Sequence, residues 1–479
     1  MDLNNFNDLD SKEVFRWFAE ISKIPRESGH EKEVSDFLVK FAKDRNLEVY
    51  QDEKNNVIIK KKATSGYENL NPVIIQGHMD MVCEKTKEST HDFRKDPIEL
   101  VVEGDILRAK DTTLGADDGI AVAMGLALLD SKDIPHPALN ILFTTSEETN
   151  MGGAAAVTGE HLDGKTLINV DAEEEGIFLV SCAGGVNTLV SFDIKRESNS
   201  NEALKIEVSG LKGGHSGLEI DKQRANAIKV LGRLLYAVKN DVNIACIEGG
   251  AKHNAIAKSA DAVITAKDID KVKGAIEKLA DSIKSEYKVE DPDMNITVSK
   301  ADSVKECYTK DLTERVIDLI MLAPDGVLYM SRDIQGLVQT SANNGVLKEE
   351  KEKLTLTISI RSSVESSLNE ITSRIETAAA RTNASYKAED GYPAWEYDEN
   401  SKVKNIACDV YKKITKKDAK IEAVHAGLEC GILKKALPNV DMISIGPNIW
   451  GAHTPEEHLS ISSADTMWKV LKELIISIK

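Results

Sequence analysis

The chain is short of basic residues. Its 61 Lys and Arg face 79 Asp and Glu, a formal charge of −18 that excludes nucleic acid or an anionic membrane as main partner. Long apolar runs are missing too: the longest, Gly119 to Leu129, spans 11 residues and is too short to cross a membrane. The opening MDLNNFNDLD lacks the basic and apolar regions of a secretory signal, so a cytoplasmic location is expected. The 6 cysteines (Cys83, Cys182, Cys246, Cys307, Cys408, Cys430) are scattered with no Cys-x-x-Cys pair and read as small buried residues in a reducing compartment. Proline is scarce, at 11 residues, and 41% apolar with 29% charged content is ordinary globular composition. A length of 479 residues allows two or three domains with sizeable cores.

The N-terminal part alternates helical and strand patterns. Ser28 with Glu31, like Asp10 with Glu13, has the spacing of a helix-capping box. The runs VIIK, PVIIQG, ILFTT and TLINV are apolar on both faces, and a long apolar helix is predicted near 118–130. Such strands alternating with helices predict an α/β domain around a mostly parallel sheet. After SCAGG (Cys182 to Gly185) the texture changes to half-exposed strands such as LKIEVSGL and LTLTISIRSS, the pattern of antiparallel α+β structure. Two strand–helix units echo each other there, DAVITAK with the helix that follows and LTLTISIRSS with SLNEITSRIETAAA, which suggests two repeated halves. The first texture returns near Gly391, with helices at about 403–415 and 428–436 and the strand DMISIG. The expected organisation is therefore an α/β catalytic domain, residues 1–183 and 383–479, interrupted by an inserted α+β domain, residues 184–382.

Chemistry-bearing residues follow the strands. His78 and Asp80 come directly after PVIIQG, Glu147 and Glu148 after ILFTT, Asp171 after TLINV, and His453 lies in the loop after DMISIGP. Asp117 and Asp118 open the apolar helix. Open α/β sheets keep their ligand sites at the carboxyl ends of their strands. Singly, each residue has an ordinary reading as a helix cap, a solvated acid or a hydrogen-bonded histidine. Collected at one sheet edge, so many carboxylates are costly without cations. Histidines with carboxylates suit Zn²⁺ or Mn²⁺ better than Ca²⁺ or Mg²⁺, and an intervening carboxylate can bridge two such ions.

The motifs GHMDMV, LGADDGIAVAMGLALL, SEETNMGGA, NVDAEEEG, GGHSGLEI, HAGLECGIL and GAHTPEE resemble the M20 metallopeptidase family, and within it the aminoacyl-histidine dipeptidases, over essentially the whole chain. The resemblance implies a zinc-peptidase-like catalytic domain with an inserted lid. It also implies two divalent metal ions per chain, Zn²⁺ with Mn²⁺ or Co²⁺ as alternatives. His78 and Asp171 would hold one ion, Glu148 and His453 the other, and Asp117 would bridge them beside a cis Asp117–Asp118 peptide. Asp80 would orient His78, and Glu147 would be the general base for a water bridging the metals. His215 in KGGHSG would stabilise the oxyanion. Asn254 and Arg361 would bind the substrate's C-terminal carboxylate, and Gly427 and Glu429 would belong to a substrate-contact loop, with Glu429 pairing the free amino terminus.

Three positions depart from the family pattern: Ala257 where Pro is frequent, Asp118 where Asn is common, and His458 where Arg is frequent. His30, His91, His136, His161, His253 and His425 are not expected to ligate metal. The implied activity is hydrolysis of unblocked dipeptides, including Xaa-His, with broad side-chain tolerance. The competing readings are a tripeptide aminopeptidase, an N-acyl amino acid deacylase and a non-catalytic metal-binding relative. A homodimer is expected, and the resemblance leaves open whether His215 serves its own chain or its partner's.

Overall fold

The computed structural model describes residues 6–389 and 391–478; the first five residues of the N-terminal stretch read above lie outside them. The chain forms two compact units: Met1–Ser181 with Tyr397–Ala423 and Leu428–Lys479, and Cys182–Glu396 with Val424–Gly427.

The first unit is built on an eight-stranded sheet in the order 48–51, 57–61, 139–144, 73–78, 166–169, 441–444, 177–182, 420–424. The four strands 139–144, 73–78, 166–169 and 441–444 are mutually parallel. Three of them (139–144, 73–78, 166–169) are buried along their whole length, which is why VIIQGH and LNILFT read as unbroken apolar runs rather than alternating ones. Helix Ala116–Asp130 packs against Val73–His78, and every residue from Ala116 to Leu129 is buried, so it needs no polar face. Gly77 permits that packing: a Cβ there would stand 2.4 Å from Ala121 Cβ and from Asp118 Oδ2. A small sheet of 449–450, 458–460, 106–109 and 100–103 carries the turn that holds His453.

The second unit is a nine-stranded antiparallel sheet with helices. Strands 202–209, 242–249, 260–266 and 295–300 stand in the lateral order 295–300, 202–209, 260–266, 242–249, with helices Ala227–Ala237 and Ile269–Glu286. Strands 184–193, 338–350, 353–362 and 385–388 stand in the same relative order, 385–388, 184–193, 353–362, 338–350, with helices Lys310–Leu322 and Glu365–Arg381. Each set runs strand, helix, strand, strand, helix, strand. The first set is inserted between the first strand and first helix of the second, and the two sheets join where Gly249 pairs with Leu347. In helix Ile269–Glu286 the buried residues Val272, Ile276, Ala280 and Ile283 recur at helical spacing, the apolar stripe that covers the sheet.

The chain returns to the first unit at Tyr397, not at 383. Ser385–Ala388 pairs with Thr188–Ser191, and Tyr392 and Trp395 bridge to Gly185 and Cys182, so backbone hydrogen bonds tie this irregular-looking segment to the second unit. The two expected capping boxes do not form. Ser11 rather than Asp10 precedes the first helix, and Ser28 Oγ donates to Asp80 Oδ2 at 2.7 Å instead of capping.

Candidate metal centre and substrate groups

The parallel strands deliver their ends to one edge of the first unit. His78 is the last residue of its strand, Glu147 and Glu148 follow strand 139–144, and Asp171 follows strand 166–169. Asp117 and Asp118 lie in the first turn of the apolar helix with non-helical φ/ψ, joined by a cis peptide bond. His453 adopts a left-handed φ of 64° in its turn.

These side chains converge on the Asp117 carboxylate. Its Oδ1 lies 3.1 Å from His78 Nε2 and its Oδ2 3.1 Å from His453 Nε2. His78 Nε2 is also 3.5 Å from Asp171 Oδ1, and His453 Nε2 is 2.8 Å from Glu148 Oε2. One carboxylate thus stands between two imidazoles, each with a further carboxylate beside it. Asp117, Glu148 and His453 form a group with metal-ligand spacing, as do His78, Glu147 and Glu148, and His78, Asp118 and Asp171.

Asp80 holds this edge from behind. It is fully buried, and its carboxylate accepts hydrogen bonds from Ser28 and from the main-chain N–H groups of Glu147 and Glu148. His78 Nδ1 stands 3.2 Å from the Asp80 carbonyl oxygen and 3.5 Å from its carboxylate, so the main-chain oxygen is the nearer partner.

The electrostatics suit cations. Burial alone would lower the His78 pKa, but Asp117, Asp171 and Asp80 raise it well above the ordinary imidazole value. His453 is raised to about 11 by hydrogen bonds to Asp117 and Glu148. Burial, with Asp171, Glu429 and Glu148 nearby, pushes Glu147 up to about 9, and burial beside Asp117 and Glu148 pushes Asp171 up to about 6. Glu148 Oε1 is buried without a hydrogen-bond partner. An orphaned carboxylate oxygen among crowded acids is expensive in a dry site, and a divalent cation relieves both costs. The donor set of imidazole nitrogens and carboxylate oxygens fits such a metal.

Three supports escaped the sequence reading. Glu457 is buried, and its carboxylate accepts from the N–H groups of Leu114, Gly115, Ala116 and Asp117, which fixes the turn that presents Asp117. Arg26 is buried and donates to the carbonyls of Met79, Asp80 and Gly115, tying the His78 and Asp117 loops together. Gln76 donates to Glu429 Oε2 at 2.6 Å, and Thr144 donates to the same oxygen at 2.8 Å. Glu429 is completely buried, its other oxygen is unpartnered, and burial pushes its pKa up to about 7. Only the PEE run gave a sequence sign of Glu457; Arg26 and Gln76 gave none.

The second unit carries its own cluster. His215 lies in a two-residue ribbon paired with Ala255, and the Ser216 N–H donates to the Asn254 carbonyl. The Gly217 and Leu218 N–H groups both donate to His215 Nδ1, at 3.2 and 3.1 Å. The proton of the neutral ring is therefore on Nε2, which becomes a hydrogen-bond donor. Burial and Arg361 lower the His215 pKa and keep it neutral. Asp291 clamps the loop at both ends by accepting from the Lys212 and Ala225 N–H groups. Arg361, on strand Lys353–Ser362, donates to the Tyr392 hydroxyl at 2.6 Å. Gly427 belongs to the short segment Val424–Gly427 of this unit, with His425, whose Nε2 is 2.8 Å from Ser341 Oγ.

The pattern of peptidase family M20/M25/M40 matches residues 74–477. The chain is 35% identical over 479 residues to the cytosol non-specific dipeptidase of Escherichia coli K12, covering 99% of each sequence. The crystal structure of an aminoacylhistidine dipeptidase from Vibrio alginolyticus superposes with a TM-score of 0.94 at 33% identity, covering 100% of this chain and 98% of that one. Aminopeptidase PepT from Bacillus cereus shares the fold at a TM-score of 0.57 and 14% identity, over 98% of this chain and 99% of its own. Among the described residues no helix is long and apolar enough to cross a membrane. The chain belongs to peptidase family M20/M25/M40.

Proposed function

We propose that the chain is a cytoplasmic binuclear-metal dipeptidase that hydrolyses unblocked dipeptides, including Xaa-His. The observation that carries this reading is the Asp117 carboxylate, whose two oxygens face two different histidines, with Glu147 close to His78 and Glu148. His78 with Asp171 would hold one ion, His453 with Glu148 the second, and Asp117 both. The full-length similarity to two proteins named as dipeptidases supports the substrate class, and the name of the Escherichia coli relative supports a cytosolic location. Zn²⁺ is the proposed metal, because imidazole nitrogen and carboxylate oxygen donors suit it, with Mn²⁺ or Co²⁺ as substitutes.

Bound divalent cations would polarise the scissile carbonyl and acidify the attacking water. Glu147 takes the water's proton and returns it to the leaving nitrogen, so the peptide C–N bond breaks as a free amine and a carboxylate form. His215 donates its Nε2 proton in a hydrogen bond to the tetrahedral oxyanion. Arg361, with Asn254, takes the substrate's C-terminal carboxylate, which a planar guanidinium matches well. Glu429 supplies its unpartnered oxygen to the substrate's ammonium. Recognition through the two termini accounts for breadth in side chains. Exposed Leu322, Tyr329 and Met330 on the second unit offer apolar surface for the proposed homodimer, which sedimentation velocity tests.

The test is cleavage of Ala-His, a tripeptide and an N-acetyl amino acid by chelated protein, before and after adding Zn²⁺ or Mn²⁺. Metal-restored cleavage of Ala-His with little on the others is expected. Faster cleavage of the tripeptide or the N-acetyl amino acid would reassign the substrate class. Tight metal binding without any turnover would leave a metal-binding relative.

A further inference from the structure

The segment Gly391 to Trp395 is pressed closely against the strand beside Arg361. Arg361 pairs across the sheet with Gly185. The Tyr392 N–H donates to the Gly185 carbonyl and the Gly185 N–H to the Tyr392 carbonyl, each at 3.0 Å. Trp395 and Cys182 exchange the same two bonds, at 3.1 and 3.0 Å.

Glycines make this approach possible. A Cβ on Gly185 would lie 2.6 Å from the Tyr392 ring and hydroxyl, and one on Gly184 would lie 2.6 Å from the Ala394 nitrogen. The SCAGG motif that marks the change of texture therefore leaves a flat bed for the Tyr392 phenol beneath Arg361. Burial raises the phenol's pKa, so the hydroxyl keeps its proton and accepts from Arg361 Nη1 at 2.6 Å. One arm of the guanidinium is thereby fixed.

The other side is unsatisfied. Arg361 Nε is buried and has no hydrogen-bond partner. An orphaned buried N–H on a permanently charged group is rare in a finished structure and points to a missing acceptor. Gly217 packs beside it without a side chain: a Cβ there would lie 2.5 Å from the His425 carbonyl oxygen, 3.1 Å from His215 Cε1 and 3.2 Å from Arg361 Nε. No acidic side chain forms an ion pair with Arg361 among the described residues.

We propose that Tyr392 is a positioning residue for the substrate's C-terminal carboxylate, its hydroxyl holding one arm of Arg361 so that the unpaired Nε side meets the carboxylate. This rests on the reading of Arg361 as the carboxylate's partner. Without the hydroxyl the guanidinium is free to rotate, and the geometry of a two-point contact is lost on average while the charge remains. The loss falls on substrate binding and not on the proton transfers at Glu147.

The experiment compares the wild type with Tyr392→Phe, which keeps the ring on Gly185, using kcat and KM for Ala-His and inhibition of that cleavage by Ala-His amide, which lacks the carboxylate. The expected result is a KM raised about 10-fold with kcat within twofold, and equal inhibition of both proteins by the amide. An unchanged KM, an equal fall in kcat, or an amide that weakens in parallel would overturn the assignment. If the amide inhibits neither protein, the split between KM and kcat decides. Arg361→Lys is the second variant and separates the two readings. If it leaves the preference for Ala-His over its amide intact, Arg361 does not serve the carboxylate. If it abolishes that preference while Tyr392→Phe does nothing, only the role of Tyr392 fails.

Discussion

The two units solve opposite electrostatic problems. The first gathers Glu147, Glu148 and Asp171 past the ends of parallel strands with Asp117 in the first turn of a helix, where burial pushes Glu147 and Asp171 up while two histidines hold Asp117 down. The second gathers His215, His425 and Arg361, where burial and the guanidinium keep both imidazoles neutral. Negative charge in surplus calls for cations; a fixed guanidinium with neutral donors calls for an anion. Their scaffolds differ as well. Glu147, Glu148 and Asp171 hang from buried strands whose positions the sheet dictates, whereas His215 sits on a short ribbon held in place by Asp291 and Glu219. Precision comes from secondary structure in one unit and from side-chain clamps in the other.

Removing the proton carrier breaks the comparison most sharply. Glu147→Gln should lower kcat for Ala-His by about 10³-fold, within the range of general acid–base catalysis, while two metals per chain remain bound by elemental analysis. Full activity with metal bound would remove Glu147 from the reaction. The corresponding deletion in the second unit is smaller. His215→Ala should cost about 10²-fold in kcat, the effect of one oxyanion donor, with metal content and KM little altered. A change in metal content instead would make His215 a ligand and erase the distinction between the units.

The legibility of the sequence follows the same division. His78, Glu147, Glu148 and Asp171 each come just after an apolar run, so a strand followed by an acid or histidine is visible in the chain itself. Asp117, at the start of the apolar helix, and His453, in a loop, are visible as candidates too, but a helix-capping Asp and a loop His look ordinary and only the family motifs give them roles. In the second unit only the third strand and second helix of each half echo one another. The duplication is otherwise hidden because one half is inserted inside the other, which separates strand 184–193 from strand 338–350. Ser28 read as a cap because its spacing to Glu31 fits one; its hydroxyl instead reaches Asp80, 52 positions away. Arg26, Glu457 and Tyr392 act through contacts with main chain or distant side chains, and no local pattern records such contacts.

Glu457 sharpens the contrast at intermediate size, since here the metal centre depends on a side-chain clamp. Its carboxylate holds four consecutive N–H groups through Asp117. Glu457→Gln keeps one acceptor oxygen but turns the other into a donor facing N–H groups. Metal affinity, measured by competition with a chelator, should fall about 10–100-fold, as for other groups that orient ligands. Unchanged affinity would mean that the helix and sheet alone position Asp117.

The smallest effect concerns stability, and its sign differs between the units. His425 is buried with a pKa lowered to about 3 by burial, Arg361 and His215, against an ordinary imidazole value of 6.5. The folded protein then binds fewer protons than the unfolded chain between those values, so the stability from a neutral His425 is complete above pH 6.5 and is lost as pH falls towards 3. Between pH 6.5 and 5 the loss amounts to about 2 kcal/mol. In metal-free protein His453 works the other way. Its pKa is raised, so its contribution is present below pH 6.5 and fades as pH rises through about 11. Urea unfolding of chelated wild type and His425→Asn at pH 7, 6 and 5 isolates the second unit's share. The variant should be less stable at pH 7 through lost packing, and the gap should close by about 2 kcal/mol at pH 5. A gap constant with pH would mean that His425 titrates normally, and that the neutrality ascribed to the second unit rests on His215 alone.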